Sequence, residues 1–209
     1  MTMYAVFDFD GVLFVGIKKL KSFVAEEEFG ICMTPEQEEN QSQYLRGVMR
    51  EKGTDYSTIF LNMVYSEKYA MDLKPAEGAL ECVRQLQELG VDVSVVSSRY
   101  KSIPVAKEML KKRGFPIKEI RGVGYSNSKW DDIQRPGPVI FFDDSPEKIL
   151  PILEKIKECP GRYTGPKTIK PVLVCIEEEQ YLEGVDIVRS WDDIYNAVRR
   201  FGGYDRALG

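Results

Sequence analysis

The chain has 209 residues, 43% hydrophobic and 30% charged, with a net charge of −4 and no histidine. This is the balance of one globular domain with room for an insertion, and no apolar run approaches the roughly 18–20 residues of a membrane-spanning helix. The missing histidine excludes Ser-His-Asp and Cys-His catalysis and His-ligated zinc, and the acidic balance argues against general nucleic-acid binding.

The elements follow in chain order. Tyr4–Phe9 is a short apolar run ending at Asp10-Gly11, which predicts a buried strand. From Val15 to about Lys74 the periodicity is helical, with no strand expected. Ile17, Leu20 and Val24 share one face of the first helix. Thr34-Pro35-Glu36-Gln37 is a helix start with a Thr cap, Pro at the first position and Gln three after the cap; that helix is expected to run to Lys52, with Tyr44, Leu45, Val48 and Met49 inward. A third helix is expected from Ser57 to about Tyr69, burying Ile59, Phe60, Met63 and Val64. Pro75 then opens a helix to Leu89, Val91–Ser97 reads as a strand, and Pro104–Arg113 as a helix. Pro138–Asp143 is a continuous apolar strand of the buried parallel type, followed by a helix from Ser145-Pro146-Glu147 to about Lys157. Residues 159–170 read as a surface loop, Val172–Ile176 and Asp186–Arg189 as strands, and Trp191–Phe201 as a closing helix whose Asp192 and Asp193 sit at its start.

Strands alternating with helices imply an α/β fold with a Rossmann-like parallel sheet flanked by helices. The helical block interrupts that alternation and is too long for a βα connection. The expected organisation is an α/β core over 1–14 and 75–209, with a small helical cap over 15–74.

Ligands of open parallel sheets sit at the carboxyl ends of strands. The strand-end residues here are Asp8 and Asp10, Ser97-Ser98-Arg99, and Asp143-Asp144-Ser145. Several carboxylates converging on one crevice need a compensating charge, and a hard cation with oxygen ligands, Mg²⁺ best, suits them. A GxxxxGK[ST] phosphate loop, a cysteine followed six residues later by arginine, and a full GxGxxG fingerprint are all missing from the sequence.

Phe7-Asp8-Phe9-Asp10-Gly11-Val12-Leu13 resembles the first motif of the haloacid dehalogenase-like phosphohydrolases, an apolar strand followed by DxDG[TV]. Ser97 matches the hydroxyl residue ending the family's second strand, and Asp143-Asp144 the fourth motif in its DD form. Lys129 fits the third-motif lysine better than Lys101, Lys111 or Lys112. The resemblance covers roughly 1–13 and 75–200 and places a cap between the first two motifs. It implies Asp8 as nucleophile toward phosphorus and Asp10 as the acid and base for leaving alcohol and water. It implies Ser97, Ser98, Lys129 and Gly11 around the phosphoryl group. Mg²⁺ would be held by Asp8, the Asp10 backbone carbonyl and Asp143. Asp144 is either a metal-shell residue or a partner orienting Lys129 or a water. Arg99 is either a surface charge or a contact for a larger substrate. Dehalogenase members lack the second aspartate of DxD, so Asp10 favours phosphoryl transfer.

The expected activity is therefore a Mg²⁺-dependent phosphomonoesterase acting on a small phosphorylated substrate, nucleoside monophosphates first. Sugar phosphates, phosphoglycolate, a phosphomutase, a polynucleotide 3′-phosphatase and a non-catalytic module on the same fold are the alternatives. A basic stripe of Lys18, Lys19, Lys21, Arg99 and Lys101 would favour a nucleic-acid end. Tyr44, Tyr56, Phe60 and Tyr65 are either core or a stacking surface for a base. Cys32, Cys82, Cys159 and Cys175 lack CxxC spacing and read as free thiols. With an N-terminus unlike a signal peptide, they point to a cytoplasmic protein without membrane partners. The oligomeric state is not legible.

Overall fold

The computed structural model describes residues 2–158 and 168–204. Among these, six strands form one parallel sheet: β1 (Tyr4–Phe7), β4 (Asp92–Ser97), β5 (Glu119–Gly122), β6 (Val139–Asp143), β7 (Ile169–Val174) and β8 (Asp186–Val188), in the order β5-β4-β1-β6-β7-β8. β1 lies at the centre because its residues are apolar on both faces; Ala5, Val6 and Phe7 are fully buried. The chain leaves β1 toward β4 on one side and toward β6 on the other. That reversal opens a crevice at the carboxyl ends of these strands.

Helices α6 (Ala79–Glu88), α7 (Ile103–Lys112), α8 (Trp130–Ile133), α9 (Pro146–Glu158) and α10 (Trp191–Gly202) flank the sheet. One core cluster joins Phe7, Phe142, Leu86, Met109, Trp191 and Ile194; a second, on the opposite face, joins Val6, Phe141, Ile133 and Ile152. Ser190 caps α10 by accepting from the Asp193 amide, and Asp193 accepts from the Arg189 amide, so these acids serve the helix start as expected.

The helical block has its own apolar centre. α1 (Ile17–Phe29), α2 (Pro35–Glu39), α3 (Gln41–Glu51), a π-helical turn (Tyr56–Phe60), α4 (Leu61–Val64) and α5 (Glu67–Ala70) surround Val24, Leu45, Met49, Phe60 and Val64. Tyr56 and Phe60 belong to this centre and not to a stacking surface; Tyr44 packs at its edge. The block is tied to the sheet by a pair missing from the sequence analysis: β2 (Phe14–Val15) runs antiparallel to β3 (Lys74–Pro75), where the chain leaves and returns.

Other boundaries differ for local reasons. The helix expected over 35–52 breaks at Asn40 (φ −108°, ψ 35°), which turns the buried Gln41 side chain onto α1, where it donates to the Lys18 carbonyl and Ser22 Oγ at 2.8 Å. The Thr34–Gln37 capping box is present. The helix expected over 57–69 begins as a π-turn. Its wider register brings Tyr56 and Phe60 inward and leaves Ile59 48% exposed, not buried. Pro75 does not open a helix. It pairs with Phe14, the Ala76 amide donates to the Leu13 carbonyl, and α6 starts only after Gly78. β5 escaped detection because it is an edge strand with one buried residue, Ile120. β7 begins at Ile169, earlier than expected; the rest of the loop expected over 159–170, apart from Thr168, lies outside the described residues, as does Cys159. Cys32, Cys82 and Cys175 are free. Among the described residues, no helix is long and apolar enough to cross a membrane.

Candidate active site

β1 delivers Asp8 because the parallel ladder continues one residue past the strand: the Asp8 amide donates to the Phe142 carbonyl at 2.8 Å, which sets Asp8 beside Asp143. Lys129, at the start of α8, extends under the sheet end into the space between them. Its Nζ donates to Asp8 Oδ1 at 2.6 Å and to Asp143 Oδ2 at 2.7 Å, and its side chain is fully enclosed. Burial opposes the ammonium charge, but the Asp143 and Asp8 carboxylates outweigh it and hold the Lys129 pKa above its ordinary value. Removing one partner from such a buried group costs about 3–5 kcal/mol. Asp143 Oδ1 also accepts from the Ser145 amide at 2.9 Å, which fixes its rotamer. Lys101, Lys111 and Lys112 are exposed, so Lys129 alone of the four meets the carboxylates.

The chain then reverses sharply. The Gly11 amide donates to the Phe14 carbonyl, and Leu13 and Phe14 donate back to Phe9. Gly11 has φ +78°, which strains any L side chain, and a Cβ there would overlap the Asp144 carboxylate and have to displace it. Asp8, Asp143 and Asp144 each offer a carboxylate oxygen, all within 4.8 Å of one another. Burial and the neighbouring carboxylates push Asp8 up to about 7 despite Lys129, and push Asp144 well above its ordinary value. This is a hard, all-oxygen, over-charged donor set and fits a divalent cation such as Mg²⁺. Asp144 therefore belongs with the candidate ligands, whereas the Asp10 side chain does not join them.

Asp10 is held elsewhere. Arg99 Nε donates to Asp10 Oδ2 at 2.9 Å and Nη2 to Oδ1 at 2.7 Å, a two-pronged ion pair. The guanidinium is enclosed, 4.6 Å from the Phe9 ring centre and 4.2 Å from that of Tyr65 in the helical block. Arg99 is thus not a surface charge and cannot belong to a basic stripe with Lys18, Lys19, Lys21 and Lys101. Nor is it free to grip a larger substrate. The pair was not legible because it depends on how the loop after β4 folds back. Gly122 permits that fold: a Cβ there would overlap the Arg99 carbonyl and Ile103.

Ser97 is buried, and its Oγ accepts from the Arg99 amide at 3.1 Å. This bond braces the loop and leaves the Ser97 hydroxyl proton to donate. Ser98 lines the cleft itself. The open cleft, about 1340 Å³, runs from these carboxylates to the helical block. Sequence reasoning did not single out Tyr125 or Arg46, which meet across it. The Arg46 guanidinium lies 4.9 Å from the Tyr125 ring centre and donates to its hydroxyl; Lys148 donates to the Tyr125 carbonyl.

A scan against known family models gives no match, and no curated protein is similar at a significant level. Solved structures are similar over nearly the whole chain. A predicted phosphatase from Clostridium acetobutylicum aligns with TM-score 0.64 at 17% identity, over 96% of this chain and 99% of its own. A HAD family hydrolase from Deinococcus radiodurans R1, solved with bound phosphate and sodium, aligns with TM-score 0.58 at 15% identity, over 95% and 96%. This chain has the haloacid dehalogenase-like fold. Other proteins sharing it include an L-2-haloacid dehalogenase, with TM-score 0.59 at 12% identity over 95% of this chain and 99% of that one. At these identities the haloacid dehalogenase-like likeness speaks for the fold, and the chemistry has to be argued from the residues.

Proposed function

We propose that this chain is a Mg²⁺-dependent phosphomonoesterase working through an aspartyl-phosphate. The observation that carries the proposal is Lys129 bridging Asp8 and Asp143, with the second aspartate, Asp10, held beside them by Arg99. A site built only to displace halide needs no second carboxylate to handle a proton.

In the proposed reaction Asp8 attacks phosphorus, a P–O bond forms, and the ester P–O bond breaks with its electron pair on the leaving oxygen. Asp10 donates a proton to that oxygen and the alcohol departs. Asp10 then takes a proton from water, whose oxygen attacks phosphorus; the Asp8–phosphorus bond breaks, releasing phosphate and restoring Asp8. Lys129 would offset the charge on Asp8 and the transferring phosphoryl group, and Ser97 and Ser98 would donate to its oxygens, whereas the Gly11 amide is engaged by the Phe14 carbonyl. The cation would be held by Asp8, Asp143 and Asp144, with the Asp10 carbonyl. When bound, it supplies positive charge that lets an anionic carboxylate approach an anionic ester.

The substrate in this proposal is small, because the helical block covers the cleft. Support for a nucleoside monophosphate from the block's aromatics is confined to Tyr65, since Tyr56 and Phe60 are buried in its own centre. The test is phosphate release from nucleoside, sugar, glycolate and aryl phosphates, with and without Mg²⁺, in the natural chain and in Asp8→Asn. Release that requires both Mg²⁺ and Asp8 supports the proposal. Release that survives Asp8→Asn overturns it.

A further inference from the structure

Residues 17–70 carry more acid than base, nine acidic against seven basic side chains. Yet every charged residue of this segment that lines the cleft is basic: Lys18, Lys21, Arg46 and Arg50. The segregation follows from helix phase on α3 and from position elsewhere: α1 carries its lysines in its first half and Glu26–Glu28 near its end, and Glu36, Glu38 and Glu39 lie on α2. On α3, Gln43, Arg46, Gly47 and Arg50 share one face at i, i+3, i+4 and i+7 and look into the cleft, whereas the acids Glu26–Glu28, Glu36, Glu38 and Glu39 do not line it. Lys18 is neutralised by Glu178 of the core. Lys21, partly buried, and Arg50 make no hydrogen bond or ion pair among the described residues. Arg46 meets no carboxylate. It is held between the Tyr125 and Tyr56 rings, 4.9 and 5.5 Å from their centres, and only one of its N–H groups is taken up, by the Tyr125 hydroxyl. Lys148 steadies Tyr125 from the core side.

Three cations that make no ion pair with a carboxylate among the described residues, one pre-oriented by two aromatic rings, form a receptor for negative charge, and Lys21 also feels the Asp10 and Asp144 carboxylates. Arg46 and Arg50 line the cleft from α3 and Lys21 lies within electrostatic reach of Asp10 and Asp144, while the transfer site already has its own cation, Lys129, and its own candidate metal ligands. The cleft, at about 1340 Å³, has room for much more than one phosphoryl group.

We propose that Lys21, Arg46 and Arg50 form a subsite for a second anionic group, so that the substrate is a phosphate ester bearing a second phosphate or a carboxylate at its far end. The proposal rests on the phosphomonoesterase reading for its first phosphate, but the subsite binds whether or not turnover occurs. A general attraction for anions would speed every ester alike. A subsite favours the ester with two anionic ends over its singly charged counterpart.

The experiment compares matched pairs in Mg²⁺: adenosine 3′,5′-bisphosphate against AMP, fructose 1,6-bisphosphate against fructose 6-phosphate, and 2-phosphoglycolate against ethyl phosphate. The first two pairs probe a second phosphate and the third a carboxylate, with 4-nitrophenyl phosphate as a common reference. The expected result is that at least one doubly anionic ester exceeds its counterpart by about tenfold or more in kcat/KM, through KM. In a Lys21→Gln/Arg46→Gln chain with unchanged melting temperature, that ratio is expected to fall below about threefold. The same pairs are titrated calorimetrically into Asp8→Asn. Preferential binding that the double substitution removes, without turnover of any ester by the natural chain, would sink the hydrolase reading and keep the subsite. Turnover of 4-nitrophenyl phosphate with no preference in any pair, or a preference that survives the double substitution, would overturn the subsite and keep the hydrolase.

Discussion

Arg99 grips both carboxylate oxygens of Asp10, at 2.9 and 2.7 Å, from a guanidinium enclosed between Phe9 and Tyr65. A forked pair fixes the plane of the carboxylate as well as its position, which a single ammonium cannot do. Because Tyr65 belongs to the helical block, the block also braces the residue proposed to move the proton. Arg99→Lys keeps the charge and loses the fork. It is expected to lower kcat on a turned-over ester by about tenfold while the chain remains folded. A double-mutant cycle pairing Arg99→Gln with Asp10→Asn, read by urea unfolding, should give a coupling of about 1–3 kcal/mol. A coupling near zero would mean the pair is not made in solution.

Gly11→Ala tests the turn beneath the carboxylates. The added methyl would overlap Asp144, and φ of +78° is strained for any L side chain. The strain costs about 1–3 kcal/mol, which a domain of this size survives. The larger effect should fall on the cation: displaced Asp144 can no longer meet Asp8 and Asp143, and Mg²⁺ affinity measured by calorimetry should drop about tenfold or more. Unchanged Mg²⁺ affinity in a folded Gly11→Ala chain would remove Asp144 from the ligand set.

Much of the site was readable because it stands where apolar runs stop. Phe7 stands in register with Val95 and Phe142, two residues before Ser97 and one before Asp143, so the polar residues that end these strands had to meet at one edge. Lys129 could be singled out because it precedes the Asp143-Asp144 strand by a short helix and loop. Arg99 could not. Its fate depends on a loop that folds back against Gly122 and under Tyr65, a contact between residues 34 positions apart. Of the basic residues of the helical block that line the cleft, Lys18 and Lys21 stood in the stripe read from the sequence, whereas Arg46 and Arg50 did not. α1 carries Lys18, Lys19 and Lys21 before Glu26–Glu28, and α3 carries Arg46 and Arg50 before Glu51; average composition reports only their sum, and which of them line the cleft appears once the helices are packed. β5 and the β2–β3 pair were missed because each is too short to carry a periodicity of its own.

The cysteines separate by burial. Desolvation, aided by Asp192 and Glu81, pushes the Cys82 thiol up to about 12, so almost no thiolate exists near neutral pH. Cys32 is exposed on the helical block. Iodoacetamide at neutral pH followed by peptide mapping should label Cys32 rapidly and leave Cys82 unmodified until the chain is unfolded by urea. Labelling of Cys82 at a rate comparable to Cys32 would show that the packing of α6 against α10 opens readily.

Proton and cation should compete for the same carboxylates. Burial, with Asp143 and Asp10 nearby, raises Asp8 from 3.8 to about 7 against the pull of Lys129. Between those values the folded, metal-free chain retains a proton that the unfolded chain has released. Its stability therefore falls as pH rises from about 4 to about 7, by at most roughly 1.4 kcal/mol per pH unit for one group. Mg²⁺ needs the ionised carboxylates, so its affinity should rise over the same window and level off above it. The two trends reinforce each other: the increase in melting temperature caused by a fixed excess of Mg²⁺ should be small near pH 5 and large near pH 8. Asp8→Asn cannot lose the proton, so its metal-free stability should fall less across the window. A Mg²⁺-induced shift of equal size at both pH values would mean that the cation does not bind at Asp8.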